Sequence, residues 1–303
     1  MEYRSMDMHV HSCFSVEEVP GVAGVTFSPR ETPEELYHRA KSRGMDFVTI
    51  TDHDTIDGCL AFLAGHPGAT DFVVGEEVST QLPVSGLTVH LNVYGHSVDQ
   101  HAELQQRRDD AFAVAAYCHS QRLCFAWNHP FYRENISTIE SDEFMGFLAF
   151  APVLEVRNGG RMQLLNVLAE ELAVREGKAA QGGSDSHTGG IGDVYTAVPC
   201  DDVVGFFDGL RLRSSRIVGQ HSTQRDFLVN SFLAGRRHVV DTGMREARSP
   251  LQRARMRYLG LVSLLMSRLV VRRHFREQLE MARIAFASLP ALRHCDRSVL
   301  EAA

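Results

Sequence analysis

The chain has 303 residues, 44% of them hydrophobic, which is enough to bury a core in one large domain or in a domain with an appendage. No apolar run reaches the roughly 18–20 residues that span a bilayer, and residues 1–7 hold no apolar stretch of the secretory kind, so the expected location is the cytoplasm. The net charge of −7 conceals an asymmetry: residues 1–200 hold 13 Lys/Arg against 28 Asp/Glu, a net of −15, and residues 201–303 hold 18 against 10, a net of +8, so the acidic front part argues against a nucleic-acid surface.

In chain order, residues 6–10 read as a short strand. Thr32 then offers an N-cap, Pro33 suits the first helical position and Glu34 and Glu35 fill the first turn, so a helix opens at 33–40 and Gly44 ends it. Further strands are expected at 47–50, 73–75, 87–94, 124–127 and 153–156, with helices at 102–121 and 162–176 between them. Repeated βα units predict a parallel sheet, open or closed into a barrel, with its chemistry at the C-terminal strand ends. Beyond residue 200 strand signals thin out and the pattern from Phe227 is helical, so the expected division is a catalytic unit over 1–200 and a basic, mainly helical extension over 201–303 packed on it. The segment 245–276 carries nine Arg and one acid around an apolar run; it suits packing on the acidic front part, and its alternatives are an acidic partner or an anionic membrane surface. The six cysteines form no CxxC pair, which fits a reducing compartment and buried thiols.

Successive strand ends carry metal-ligand residue types: His9 and His11, then Thr51-Asp52-His53-Asp54, Glu76-Glu77, His90, His129, Glu155, and Asp185 with His187. Residues i and i+2 of a strand share a face, so His9 and His11 can reach one ion, and only one of Glu76 and Glu77 can face the same side. Mixed imidazole and carboxylate ligands suit zinc, manganese or iron rather than calcium. His38, His66, His96, His101, His119, His221, His238, His274 and His294 match no motif and read as surface or packing residues.

In order and spacing, Asp7-Met8-His9-Val10-His11-Ser12, Ile50-Thr51-Asp52-His53-Asp54-Thr55, Gly75-Glu76-Glu77-Val78-Ser79-Thr80, His90 in a strand ending Tyr94-Gly95, Asn128-His129-Pro130, Glu155-Val156-Arg157-Asn158-Gly159 and Gly183-Ser184-Asp185-Ser186-His187-Thr188 are similar to the motifs of the PHP (polymerase and histidinol phosphatase) superfamily. The resemblance runs from about residue 5 to 200. It implies an α/β fold, a distorted (β/α)7 barrel, and hydrolysis of a phosphoester at two or three divalent metal ions (Zn, Mn or Fe). Carried over, His9, His11, Glu77 and Asp185 would hold a first ion, Glu77 would bridge to a second held by His90 and His129, and His53 and His187 would hold a third. Asp52 would orient an imidazole, and Arg133 or Arg157 would clamp a substrate phosphate through the bidentate guanidinium fork.

One departure stands out. Relatives often carry an aspartate where this chain has Val16, so Glu17 or Glu18 is expected to supply the third ion's carboxylate. The expected activity is hydrolysis of a small phosphorylated substrate or nucleotide by metal-activated water, with no serine or cysteine nucleophile. The alternatives are a metal-dependent hydrolase of a non-phosphate substrate and a binding or regulatory module with a degraded site.

Overall fold

In the computed structural model the described residues are 2–18, 26–131, 139–223, 225–226, 228–229, 232 and 249–292. The chain begins with β1 (Tyr3–Met6) and the short pair β2 (Glu17–Glu18) and β3 (Thr26–Phe27). It continues through α1 (Pro33–Ser42), β4 (Val48–Ile50), α2 (Asp57–Gly65), β5 (Phe72–Gln81), β6 (Thr88–Tyr94), α3 (Val98–Gln105), α4 (Ala111–Gln121) and β7 (Cys124–Trp127). Then come α5 (Ser141–Phe150), β8 (Val153–Asn158), α6 (Gln163–Arg175), β9 (Ala179–Gly183), β10 (Val194–Pro199), α7 (Val203–Arg211) and β11 (Arg216–Gly219). A 39-residue helix, α8 (Pro250–Ser288), and a 3-10 turn at Pro290–Leu292 complete the described elements.

Strands β4 to β9 form one six-stranded sheet in sequence order, curled into a half-barrel with helices around it. The expected sheet was parallel; this one is mixed. β4–β5, β7–β8 and β8–β9 pair in parallel, whereas β5–β6 and β6–β7 are antiparallel. The cause is the connection between β5 and β6, where Leu82 N–H bonds the Leu87 carbonyl at 2.7 Å across a tight turn with Gly86 at φ +68°. Such a loop cannot hold a crossover helix, so the chain must fold back as a hairpin. A second, antiparallel sheet in the order β1-β10-β11 takes the chain past residue 200.

Two expected elements shift. The first strand is Tyr3–Met6 rather than 6–10: the Asp7 carboxylate accepts N–H groups from His9, Ser184 and Gly192, and the His9–His11 stretch is held by this side chain, by an isolated bridge between Val10 and Ser186 and by hydrogen bonds between Val10 and Thr51. The helix expected over 102–121 is two helices, because Asp110 accepts from Phe112 N–H and Ala113 N–H and starts a new one. At α1 the expectation holds in detail: Thr32 and Glu35 form a reciprocal capping box with Pro33 in the first turn.

The largest apolar core lies between β6, β7, β8 and helices α4, α5 and α6, and Ala282, Ala285, Phe286, Leu289 and Leu292 from the end of the chain belong to it. Gln278 of α8 also accepts a hydrogen bond from Met162 N–H at the start of α6. No helix among the described residues is long and apolar enough to cross a membrane. Arg133 and residues 245–248 of the basic segment lie outside the described residues.

Candidate metal centre

His9 and His11 project together, and their Nε2 atoms stand 3.1 Å apart. Between them and the opposite wall sits Glu77 on β5, with its side chain 1% exposed. Its Oε2 lies 2.9 Å from His9 Nε2, 3.2 Å from His11 Nε2 and 3.4 Å from His53 Nδ1. Its Oε1 lies 3.3 Å from both His90 Nδ1 and His129 Nε2. One carboxylate therefore divides its two oxygens between two groups of imidazoles. Asp185 closes the cluster: its Oδ1 is 3.5 Å from His9 Nε2, 3.4 Å from His11 Nε2 and 3.6 Å from His187 Nδ1.

Local structure explains the convergence. Strand alternation on β5 turns Glu77 toward the cluster and Glu76 to the opposite side, where Glu76 meets His96 and His101. The 52–54 stretch is strapped to β5 by Glu77 N–H to the Asp52 carbonyl and Asp54 N–H to the Glu77 carbonyl, which brings His53 beside Glu77. A Cβ at Gly183 would stand 2.5 Å from the His9 Cβ, so only glycine lets β9 approach so closely. His129 and Asp185 hold positive φ, 27° and 48°. Such backbone is costly for residues with a Cβ and persists where the surroundings over-determine it.

Partners behind the cluster aim the imidazoles. Glu155 Oε1 is 2.9 Å from His9 Nδ1, which leaves His9 Nε2 for the cluster. The other Glu155 oxygen accepts from His129 N–H and from Asn158 Nδ2. Ser15 Oγ is 3.2 Å from His11 Nδ1 and accepts from His53 N–H. Asn128 Nδ2 donates to Glu77 Oε1 at 2.8 Å, and Asn158 Nδ2 donates to Asp185 Oδ2 at 3.1 Å.

The charges follow from this packing. Burial by itself would push Glu77 up, but the charges of His9, His53 and His90 and a hydrogen bond from His11 hold it well below the usual carboxylate range. Asp185 is likewise pulled well below, against its burial, by His9 and Arg161. Burial would lower His9, yet Glu77, Asp185 and Glu155 together hold it well above its ordinary value. His129 goes the other way: burial and the nearby Arg161 press it down to about 4, which leaves a neutral imidazole.

Four overlapping triads have ligand atoms within 4.8 Å of one another: His9–His11–Glu77, His9–His129–Asp185, His53–Glu77–His90 and His11–His53–His187. The donor set fits divalent transition metals, since imidazole nitrogens and carboxylate oxygens point inward at one another. The buried His90 Nδ1 has no hydrogen-bond partner although it faces Glu77, as expected of a lone pair reserved for a cation. Those triads set His129 with His9 and Asp185 and His90 with His53, while His90 and His129 both lie 3.3 Å from Glu77 Oε1.

Several expected roles land elsewhere. Asp52 was expected to orient an imidazole; instead its two oxygens accept from Ser12 N–H and Ser12 Oγ, both at 2.6 Å, so it fastens the loop that carries Ser15. Arg157 turns toward the Gly219 carbonyl and Glu170. Val16 is 58% exposed, and Glu17 with Glu18 forms a two-residue ladder with β3 where a loop was expected; their side chains lie outside the described residues. Sequence reasoning missed Arg161, whose guanidinium lies 3.2 Å from Asp185 Oδ2 with only 15% of the side chain exposed. No sequence signal marks it, because its role comes from the turn after β8. Asp7 was also missed as a fastener, although it opens the first motif.

No protein-family model and no curated protein matches the sequence. A solved structure shares the fold. PsfC from Pseudomonas syringae superposes with a TM-score of 0.54 at 17% identity, covering 77% of this chain and 98% of that one. A proposed metal-dependent phosphoesterase from Bifidobacterium adolescentis gives a TM-score of 0.47 at 17% identity over 68% of this chain and 95% of that one. An amidohydrolase from Chromobacterium violaceum, with bound sulfate, gives 0.46 at 18% identity over 71% of this chain and 97% of that one. At these identities the likeness to PsfC is one of fold.

Proposed function

We propose that this chain is a metal-dependent phosphoesterase of the PHP type, acting on a small phosphorylated molecule or nucleotide at two or three divalent cations. The observation that carries the reading is the splitting of Glu77, with one oxygen toward His9, His11 and His53 and the other toward His90 and His129. A carboxylate so placed suits two neighbouring cations, and a single cation would not use both sets.

When bound, the cations supply water acidified toward neutrality and positive charge for a phosphoryl transition state. The residues divide the remaining work. His9, His11, Glu77 and Asp185 form a buried floor, while His53, His90 and His187, with side chains 12%, 19% and 23% exposed, line its opening. A substrate entering there meets the rim imidazoles first, and with no third ion in place His53 or His187 would deliver the proton that the leaving oxygen needs. Arg161 reaches the same cluster from the Asp185 side and takes the phosphate-clamping role first assigned to Arg133 or Arg157. Glu17 or Glu18 remains our proposed carboxylate for a third ion beside His53 and His187.

A panel of phosphomonoesters, phosphodiesters and nucleotides, assayed with manganese, zinc and iron, tests the reading. Hydrolysis should appear with at least one metal, vanish with chelator and vanish in Glu77→Gln. Amide or lactone cleavage with no phosphoester turnover would replace it with the non-phosphate hydrolase reading, and fewer than one ion per chain after reconstitution would leave a degraded binding module.

A further inference from the structure

On the far side of β5 from Glu77, the side chain of Glu76 is 0% exposed and carries its charge inside the protein. Its Oε2 is 2.8 Å from His101 Nδ1 and accepts from Gln105 Nε2 at 2.9 Å; His101 and Gln105 lie one turn apart on α3. Its Oε1 is 2.9 Å from Nε2 of His96, which sits in the bend after β6 and whose side chain is also 0% exposed. That last pair is unusual. The two atoms form an ion pair but not in the geometry of a hydrogen bond, and His96 Nδ1 has no hydrogen-bond partner. A buried imidazole nitrogen left without a partner costs stability. A cation held between imidazole and carboxylate takes up the lone pairs of Glu76 Oε1 and of the imidazole nitrogen turned toward it.

We propose that Glu76, His96 and His101 form a second, separate metal site that holds one divalent transition-metal ion, zinc by donor type, and staples α3 and the Tyr94–Val98 bend to the outer face of the strand that carries Glu77. The three ligand atoms lie within 4.8 Å of one another. A tetrahedral zinc ion with bonds of about 2.0–2.1 Å needs ligand atoms about 3.3 Å apart, so the present 2.8 and 2.9 Å separations must open by about half an ångström, within reach of side-chain rotation. Three protein ligands leave the fourth position to water, and Gln105 steadies the carboxylate from the side. His101, with 21% of its side chain exposed, provides the way in. None of the three belongs to the main cluster, so the inference does not rest on the function proposed for that cluster.

The test uses the full chain, stripped with chelator and then loaded with zinc alone. Ions per chain are counted by elemental analysis after desalting, for wild type, for Glu77→Gln and for the double variant His96→Gln with His101→Gln. The double variant should bind one ion fewer than wild type, and the same loss should appear when it is combined with Glu77→Gln, whatever the main cluster holds. Zinc should raise the Tm of Glu77→Gln by more than that of the combined variant. Equal zinc counts with and without the His96 and His101 changes overturn the proposal and leave a buried cluster of ion pairs. If the double variant does not fold, an anomalous map at the zinc edge from wild-type crystals decides: a peak among Glu76, His96 and His101 supports the site, and no peak there at saturating zinc refutes it.

Discussion

At the residue scale, two neighbours on one strand face two separate clusters. Glu77→Gln removes a charge that five imidazoles share, so turnover should fall below detection and metal content should drop, as elemental analysis and a phosphatase assay would register. Arg161 is a sharper probe, since it bonds Asp185 from the rim without belonging to any ligand triad. Arg161→Met should lower kcat/KM by roughly 10²-fold with the metal count unchanged, the scale of losing one preorganised charge. A loss of metal instead would make Arg161 a support for Asp185 and not a clamp. The double change Glu17→Ala with Glu18→Ala should remove one ion and cut turnover by roughly 10²-fold; an unaltered ion count and rate would mean that the third position needs no carboxylate.

At the element scale, the end of α8 and the turn after it are part of the main core. Leu289 and Leu292 are fully buried in it, while Leu251, Tyr258 and Leu269 nearer the start of the helix are exposed. Leu289→Ala should therefore cost about 2–5 kcal/mol, the range for deleting a buried leucine side chain, and denaturant unfolding would measure it. Leu251→Ala should leave the midpoint unmoved. If both are neutral, the end of the chain is not part of the folding unit, and the basic segment is freed for an acidic partner or a membrane surface. The hairpin between β5 and β6 matters at this scale too, because its register sets Ser79 against His90 and Glu77 against Asn92, and so fixes where His90 stands relative to Glu77.

At the scale of the whole molecule, the main cluster couples stability to pH and to metal. Glu77 and Asp185 have folded values depressed below 4.5 and 3.8, so their contribution is present above those values and is lost as the pH falls through the depressed ones. His9 is raised above 6.5, so its contribution is complete below that value and is lost as the pH rises through the raised one. His129, held down at about 4, works against the fold as the pH drops below 6.5, so metal-free protein should be most stable near 6.5 and lose Tm above it. Cations bind neutral imidazoles and compete with protons, so metal-loaded protein should gain stability over the same rise. Calorimetric Tm–pH curves of chelated and manganese-loaded protein should separate above 6.5; parallel curves would mean that the imidazoles do not take up metal.

Residue chemistry alone determined a good deal. The ligand types at successive positions and the His9–His11 spacing were legible, and strand alternation, a local property, said that only one of Glu76 and Glu77 faces the cluster; that it is Glu77 came from the resemblance. The capping box at Thr32 and Glu35 was legible for the same reason. What lay beyond reach depends on contacts between distant segments. The sheet is mixed because a short turn denies β5 a crossover, and the break before Asp110 splits a helix that periodicity runs together. Asp52 turns to Ser12, 40 positions away, and not to an imidazole. Arg161 and the Glu76–His96–His101 group carry no motif at all: their chemistry exists only where the folded chain buries a charge and brings distant side chains to it, which no spacing in a sequence encodes.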